Sequence, residues 1–263
     1  MTKWFVLFRK EYLQMIRNYT IIWLPISFIL LGASQPITSF FMPDILSSAG
    51  NLPEGSVISI PTPMPFEVME SSLSQFGVIG LLLITLTNMG ALSYERSSGT
   101  AAMILVKPVS FLSFVTAKWA ANLSLTLISF TLGYCTAWYY TSTLFSPLNF
   151  KVVFIGALFF ALWLSFIGTL TLMFSSLIRS PAAAAFSALT IATMLTIVSN
   201  TLPFKWSWNP GRLPALAANS LDETARLNGS TFSNLITVVI TMMAVVIALF
   251  AAAKSMRRRP SDG

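Results

Sequence analysis

Charged residues are missing from six long stretches of this chain, and that pattern constrains the fold more than any other feature. The stretches of more than 20 residues without Asp, Glu, Lys or Arg are 18–43, 71–94, 119–150, 152–178, 180–204 and 227–253. An α-helix rises about 1.5 Å per residue, so about 20 apolar residues cross the hydrocarbon core of a bilayer. Backbone groups in lipid must be hydrogen-bonded internally, and runs this long without two-residue alternation favour helices over barrel strands. The sequence therefore predicts an all-α membrane protein with six transmembrane helices.

The composition excludes several classes of protein. Only 10% of the 263 residues are charged, against about 25% in a soluble domain, so a soluble monomer and a disordered chain are both excluded. The chain has no histidine and one cysteine, Cys135, which excludes a Ser-His-Asp triad, a histidine-ligated zinc and an intrachain disulfide. The predicted spans carry no charged residue in their apolar cores, which argues against a proton-coupled transporter and against a channel with charged rings.

The basic residues predict the orientation of the chain. If both termini are cytoplasmic, the inner side carries 12 of the 16 basic residues and three of the nine acids. An excess of Lys and Arg in cytoplasmic loops is the main determinant of topology. We therefore expect both termini inside, and we assign the net charge of +7 to orientation and contact with anionic lipid. The charges are spread over five inner segments, so a nucleic-acid partner is not expected.

Residues 1–19 have the pattern of an amphipathic helix at the membrane interface. Aromatic and apolar residues recur at spacings of three and four, whereas polar residues fall largely on the other side. The first set is Trp4, Phe8, Tyr12, Met15 or Ile16, and Tyr19, and the second is Lys3, Lys10, Gln14 and Arg17. Two interpretations remain open: a simple anchor, or an elbow that also touches a cytoplasmic partner.

Two long outer segments are expected, 41–72 and 203–233. The first contains five prolines, which favour an extended, polyproline-like chain over a helix; they are Pro43, Pro53, Pro61, Pro63 and Pro65. The second begins with a turn that holds Trp206 and Trp208, and an amphipathic helix over Leu213–Leu227 follows it. We expect that helix to lie at the outer surface of the membrane or to dip into it.

The cytoplasmic link between helices two and three, residues 95–117, carries the most informative local pattern. Gly99 ends helix two, and Thr100 can cap a short transverse helix over Ala101–Val106. Pro108 stops that helix, and Ser110 can cap the start of helix three. A short helix sealed at both ends could be a rigid lever or a reinforced loop, and the residues alone leave both open.

Small residues repeat every four positions on two of the predicted helices. They are Ala157, Ala161, Ser165 and Thr169 on helix four, and Ala184, Ala188 and Ala192 on helix five. Such faces let helix backbones approach closely. They could pack within one subunit or across a dimer, and the sequence does not decide which.

The link reads E-R-x-x-G-T, then apolar residues, then L-V-K-P-V-S, and Ala117-Lys118 follows before helix three. The N-terminus contains Arg9-Lys10-Glu11 and Arg17-Asn18-Tyr19. In this order and placement the motifs resemble the permease subunits of type-2 ABC exporters. The resemblance covers the whole chain and implies one permease domain, 1–263, in the cell membrane, with a coupling helix that docks on a cytosolic ATPase. It further implies a second permease subunit.

By that resemblance, two sets of residues would form the contacts of the permease. The ATPase-coupling set is Glu95, Arg96, Gly99, Thr100, Lys107 and Pro108, and the interfacial elbow contains Trp4, Arg9, Lys10, Glu11 and Arg17. The chain has no G-x-x-x-x-G-K-[ST] phosphate loop. We therefore expect no enzymatic activity and no cofactor in this chain, with ATP and Mg²⁺ bound by the partner.

The weakly polar interior of the predicted helices suits a hydrophobic or amphipathic cargo, and the resemblance to exporters implies that this cargo moves outward. A different class of function stays open beside export: a non-transporting membrane scaffold or regulator that tethers a cytoplasmic signalling protein.

Overall fold

The computed structural model describes residues 3–49, 63–97, 110–201, 208–222 and 231–258. Within these ranges every regular element is a helix, and six helices are long and apolar enough to cross a membrane. The predicted all-α architecture with six spans is confirmed.

The helices follow each other along the chain as an N-terminal helix, six spans and a short outer segment. The N-terminal helix and the first two spans are α1 (Lys3–Arg17), α2 (Thr20–Ala49), and a second span made of α3 (Pro65–Gln75), a π-helical turn (Phe76–Gly80), α4 (Leu81–Asn88) and α5 (Ser93–Ser97). The third to sixth spans are α6 (Phe111–Leu144), α7 (Phe150–Leu177), α8 (Pro181–Thr201) and α10 (Thr231–Arg258). Between the fifth and sixth spans lie a 3₁₀ turn (Pro210–Arg212) and α9 (Leu213–Asn219).

The helix ends follow their capping residues. Ser110 caps α6 as predicted, since its side chain accepts a hydrogen bond from the Ser113 backbone N–H at 3.1 Å. At the start of α3, the Glu67 carboxylate accepts from the backbone N–H of Met64 at 2.8 Å, which satisfies a donor that the helix leaves unpaired.

The predicted outer segment 41–72 is too long at both ends. Pro43 lies inside α2, and Pro65 is the first residue of α3. Proline is well tolerated at the first position of a helix because its missing N–H would have no intrahelical partner there. The two helices therefore extend into both edges of the predicted segment, and residues 50–62 between them lie outside the described residues.

The first and third spans approach each other backbone to backbone. A Cβ atom at Gly32 would overlap the carbonyl oxygen of Gly133, and a Cβ at Gly133 would overlap that of Phe28. Glycines at a crossing of membrane helices permit this approach, and the gain is van der Waals contact over a long interface.

Aromatic rings fill the centre of the bundle where the first four spans meet. Phe28 stacks on Phe76 with ring centroids 5.6 Å apart, and Phe130 stacks on Phe160 at 5.3 Å. Trp163 is buried in the same cluster. These rings hold the π-helical turn of the second span against α2, α6 and α7.

The outer segment between the fifth and sixth spans folds back along α8. Asn209 donates from its side-chain amide to the carbonyl of Leu195 at 2.9 Å, six residues before the last described residue of α8. Leu213 and Ala217 are fully buried. The predicted helix Leu213–Leu227 is wrong at its far end, because α9 ends at Asn219; Leu227 lies outside the described residues.

The repeat of small residues on α8 packs within the subunit. Ala184 and Ala188 are fully buried and Ala192 nearly so, all without a second chain present. The sequence left open whether this face packs within one subunit or across a dimer, and on this helix it packs within the subunit.

Candidate functional site

The two ends of the link between the second and third spans meet in one group of charged side chains. Lys10 and Glu11 of α1, Glu95 of α5 and Lys118 of α6 form what we call the four-charge cluster. The Lys10 Nζ atom lies 2.5 Å from Glu95 Oε1 and 3.1 Å from Glu11 Oε1. The Lys118 Nζ atom lies 2.5 Å from Glu11 Oε2 and 3.3 Å from Glu95 Oε1. Each lysine therefore bridges both carboxylates.

The helices fix the positions of these side chains. Glu11 lies on the stripe of α1 that also buries Leu7 and Met15, at the four-residue spacing of one helix face. Lys118 lies two turns into α6, and its side chain is only 3% exposed, while those of Glu11 and Glu95 are 7% and 9% exposed. An isolated buried charge is strongly unfavourable, so the equal number of positive and negative groups is what permits this burial.

The pKa of Lys10 is raised above its ordinary value of 10.5. Burial alone would lower the pKa of this amine, but the neighbouring carboxylates of Glu11 and Glu95 favour its charged form and outweigh that effect. Lys10 therefore stays protonated at neutral pH, as the geometry of the cluster requires.

Next to the cluster, hydrogen bonds connect the ends of three spans at the last turn of α7. Arg96 donates from Nη1 to the carbonyl oxygen of Ser176 at 2.6 Å, and the hydroxyl of Ser255 donates to the same oxygen at 2.8 Å. The backbone N–H groups of Leu92 and Ser93 donate to the Ser175 hydroxyl. Carbonyls in the last turn of a helix lack intrahelical donors, so these contacts complete the end of α7.

The N-terminal helix packs on the third span. The Trp4 indole N–H donates to Thr116 Oγ1 at 3.2 Å, and the Tyr12 hydroxyl lies 2.7 Å from Ser124 Oγ. The aromatic stripe that we assigned to the membrane interface thus contacts protein over part of its surface. Phe5 and Leu13, which that assignment left out, are exposed.

The structure brings together part of the predicted site. From the predicted sets, Glu95, Arg96, Lys10 and Glu11 lie at or beside the four-charge cluster. Trp4 contacts Thr116 instead, and Arg9 and Arg17 are exposed on α1. The remaining predicted positions, Gly99, Thr100, Lys107 and Pro108, lie outside the described residues, as does the predicted helix Ala101–Val106.

The predicted site left out Lys118, Ser175 and Ser176. The sequence places Lys118 among the inner charges and in the Ala117-Lys118 pair before helix three, because the charge-free stretch begins after it. The helix begins earlier, at Phe111. A lysine placed inside the helical register of a span should have indicated a buried acidic partner.

A groove of about 630 Å³ lies between the second span, α8 and the outer segment. Its walls are mostly apolar and carry a few hydroxyl and amide groups, with one acid, Glu70. The lining residues include Gly77, Val78, Leu81, Trp163, Leu189, Thr193, Thr196, Asn200, Pro214 and Ala218. Gly77 belongs to the π-helical turn, a feature that often accompanies functional sites.

Among the described residues, no group of three or more Cys, Asp or Glu side chains could hold a metal ion.

The family of this chain follows from its similarity to known proteins. The model of the ABC-2 family transporter proteins matches residues 5–252. The chain belongs to the ABC-2 transporter family. It is also 32% identical over 244 residues to the uncharacterized transmembrane protein YxlG of Bacillus subtilis (strain 168). The matched region covers 93% of this chain and 95% of that protein.

Membership in this family confirms the resemblance to type-2 ABC permease subunits and, with the six apolar helices, the assignment as a multi-pass membrane protein. ABC-2 permeases are the transmembrane components of their transporters and not the ATPases. Membership likewise implies an ABC ATPase as partner and dimerisation in general terms.

Proposed function

We propose that this chain is the transmembrane subunit of an ATP-driven exporter. A separate cytosolic ATPase, which binds ATP and Mg²⁺, docks on the link 95–117, and a second permease subunit completes the membrane part. The cargo is hydrophobic or amphipathic and moves outward.

One observation carries this proposal: the ends of the link are joined to each other and to α1. Glu95 is the first residue of the link, and Lys118 directly follows its last residue. Their side chains pair at 3.3 Å, and each also contacts a residue of α1. A force applied to the link would therefore reach the second span, the third span and α1 together. Coupling between two distant sites needs such an element, whose arrangement both sites can bias.

The orientation is part of the same proposal. Six spans return the C-terminus to the side of the N-terminus, and the basic residues favour the cytoplasm for that side. The four-charge cluster then lies at the inner face of the cell membrane, where a cytosolic ATPase can reach the link, and α1 acts as the interfacial elbow.

The groove supports the nature of the cargo. Its volume of about 630 Å³ falls in the range of pockets that hold drug-sized molecules, about 300–1,000 Å³. Its apolar walls with scattered hydroxyl groups match a molecule that is mainly apolar with a few polar groups. We assign this groove as part of the export route.

The test is co-expression of the full-length chain with its candidate ATPase, followed by purification and reconstitution in liposomes. We expect a stable complex whose ATP hydrolysis responds to cargo. Glu95→Ala and Pro108→Gly should uncouple hydrolysis from transport. Glu95→Ala should also lower the thermal stability, because it leaves Lys10 and Lys118 with Glu11 alone. Arg17→Gln, which removes an exposed charge from α1, should have neither effect.

The alternative class predicts a different result. A scaffold or regulator would bind its partner without an ATP-dependent change and would leave cargo on its own side of the membrane. If Glu95→Ala and Pro108→Gly alter neither complex formation nor the ATPase rate, the proposed coupling through the link is wrong.

A further inference from the structure

A second cavity, of about 230 Å³, lies beside the inner ends of the second and fourth spans. Its described lining consists of Ser93, Arg96, Ser97 and Arg179. We propose that this cavity binds the phosphate group of an anionic lipid from the inner leaflet. The inference rests on the proposed orientation but not on the ATPase partner.

The lining has the chemistry of a phosphate site. Two guanidinium groups present planar sets of N–H donors that match phosphate oxygens. The Ser97 hydroxyl donates to the carbonyl of Tyr94 at 3.1 Å, and rotation about its C–O bond would turn the same hydrogen toward a phosphate. None of the described lining residues is acidic. The nearest acid along the chain, Glu95, is held by Lys10 and Lys118 in the four-charge cluster, so its charge is already balanced.

One of the two arginines is fixed in place. Arg96 is only 4% exposed, and its Nη1 atom donates to the carbonyl oxygen of Ser176 at 2.6 Å. The Ser255 hydroxyl donates to the same oxygen, so three spans share this contact. A guanidinium that is already positioned loses little conformational entropy when a phosphate binds.

The position of Arg179 favours a lipid over a soluble anion. Arg179 lies in the short turn between α7, which ends at Leu177, and α8, which begins at Pro181. A turn this short between two spanning helices must lie close to the membrane surface, at the level of the lipid phosphates. Exposed apolar residues flank it, Leu177 and Phe186, and they offer surface to the acyl chains. Basic pockets between membrane helices on the cytoplasmic side bind anionic head groups in this way.

The test is a lipid titration of the purified full-length chain in a neutral detergent, followed by native mass spectrometry. The probes are phosphatidylglycerol, phosphatidylcholine and inorganic phosphate. The variant Arg179→Gln removes one lining charge, and Lys254→Gln removes an exposed charge at the same end of the molecule, outside the described lining. Ser97→Ala is a second, milder variant; Arg96→Gln is avoided because it also removes the contact with Ser176.

We expect one tightly retained phosphatidylglycerol per chain. A hydrogen bond to a charged group corresponds to about a ten-fold change in the dissociation constant or more. Arg179→Gln should weaken retention by at least that factor, Ser97→Ala should weaken it less, and Lys254→Gln should leave it unchanged.

Three results would overturn the inference. If Arg179→Gln and Lys254→Gln lose phosphatidylglycerol retention equally, the lipid is attracted to basic residues in general and not to this cavity. Equal retention of phosphatidylcholine would mean that the charge of the head group is not recognised. Displacement of the lipid by millimolar inorganic phosphate would identify a soluble phosphate as the ligand.

Discussion

Removal of Lys118 should destabilise the protein more than its position near the end of a span suggests. In Lys118→Met the side-chain volume is nearly kept, but Glu11 and Glu95 are left with Lys10 alone, so a buried cluster of zero net charge becomes negative. Removal of one partner from a buried ion pair costs about 3–5 kcal/mol, because the remaining charge is desolvated without compensation. Glu11→Leu should lower the free energy of unfolding by a similar amount, because it leaves the cluster with a net positive charge.

The double variant separates pairing from packing. Glu11→Leu combined with Lys118→Met leaves Lys10 and Glu95 as a pair at 2.5 Å, and the cluster is neutral again. Replacement of a buried ion pair by apolar residues of similar volume is often neutral or stabilising. We therefore expect the double variant to be within about 1–2 kcal/mol of the wild type, far less than the sum of the two single effects.

Thermal unfolding in detergent, followed by tryptophan fluorescence at one scan rate, measures these differences. For a chain of this size about 1 kcal/mol shifts Tm by roughly 2–4 °C, so each single variant should lose about 6–20 °C. Arg17→Met, which removes an exposed charge from α1, is the control and should shift Tm by little. Single variants that match the control, or a double variant as unstable as the sum of both, would refute the burial and pairing of these charges.

Three further predictions address the groove, the helix crossing and the cluster. Gly77→Trp should fill the groove and block transport while folding is kept, because among the described residues a Cβ at Gly77 would meet only Phe160, at 3.9 Å; Gly77→Ala, which leaves the groove open, should transport normally. Gly133→Ala should lower Tm strongly, since its Cβ would overlap the backbone of the first span, and a normal Tm would contradict the close crossing. The raised pKa of Lys10 means that its stabilisation is complete below about pH 10.5 and is lost as the pH rises through the folded-state pKa. The Tm difference between wild type and Lys10→Met should therefore be constant from about pH 7 to 9 and shrink only in stronger alkali; a decline already near pH 8 would show that the pKa is lowered.

The positions of the spans were predictable because the lipid bilayer dictates how many consecutive apolar residues each span needs. A bilayer requires about 20 apolar residues per helix wherever the chain crosses, and that requirement is written locally in the sequence. The ends of the spans were less predictable, since a helix can continue past the last apolar residue when its polar groups find partners. Lys118 lies inside α6 for this reason, and Pro65 starts α3 earlier than the charge pattern indicated.

The four-charge cluster could not be derived from local pattern. Lys118 and Glu11 are 107 positions apart, and Lys10 and Glu95 are 85 apart. Each residue, taken alone, fits the ordinary role of a charge at the membrane surface. The packing of α1 against the third span, through Trp4 and Tyr12, brings Lys10 and Glu11 to Lys118, and α5 of the second span adds Glu95.

The cluster and the packed aromatic core of the bundle have different physical roles. Stacked rings such as Phe130 and Phe160 gain from close contact in one arrangement and lose it when displaced. In the cluster each lysine contacts both acids, so one contact can lengthen while the other is kept, and the charge stays balanced. An apolar replacement would serve stability equally well, so the double variant should fold normally and yet fail to link ATP hydrolysis to transport. Normal coupling in that variant would assign the cluster to folding alone.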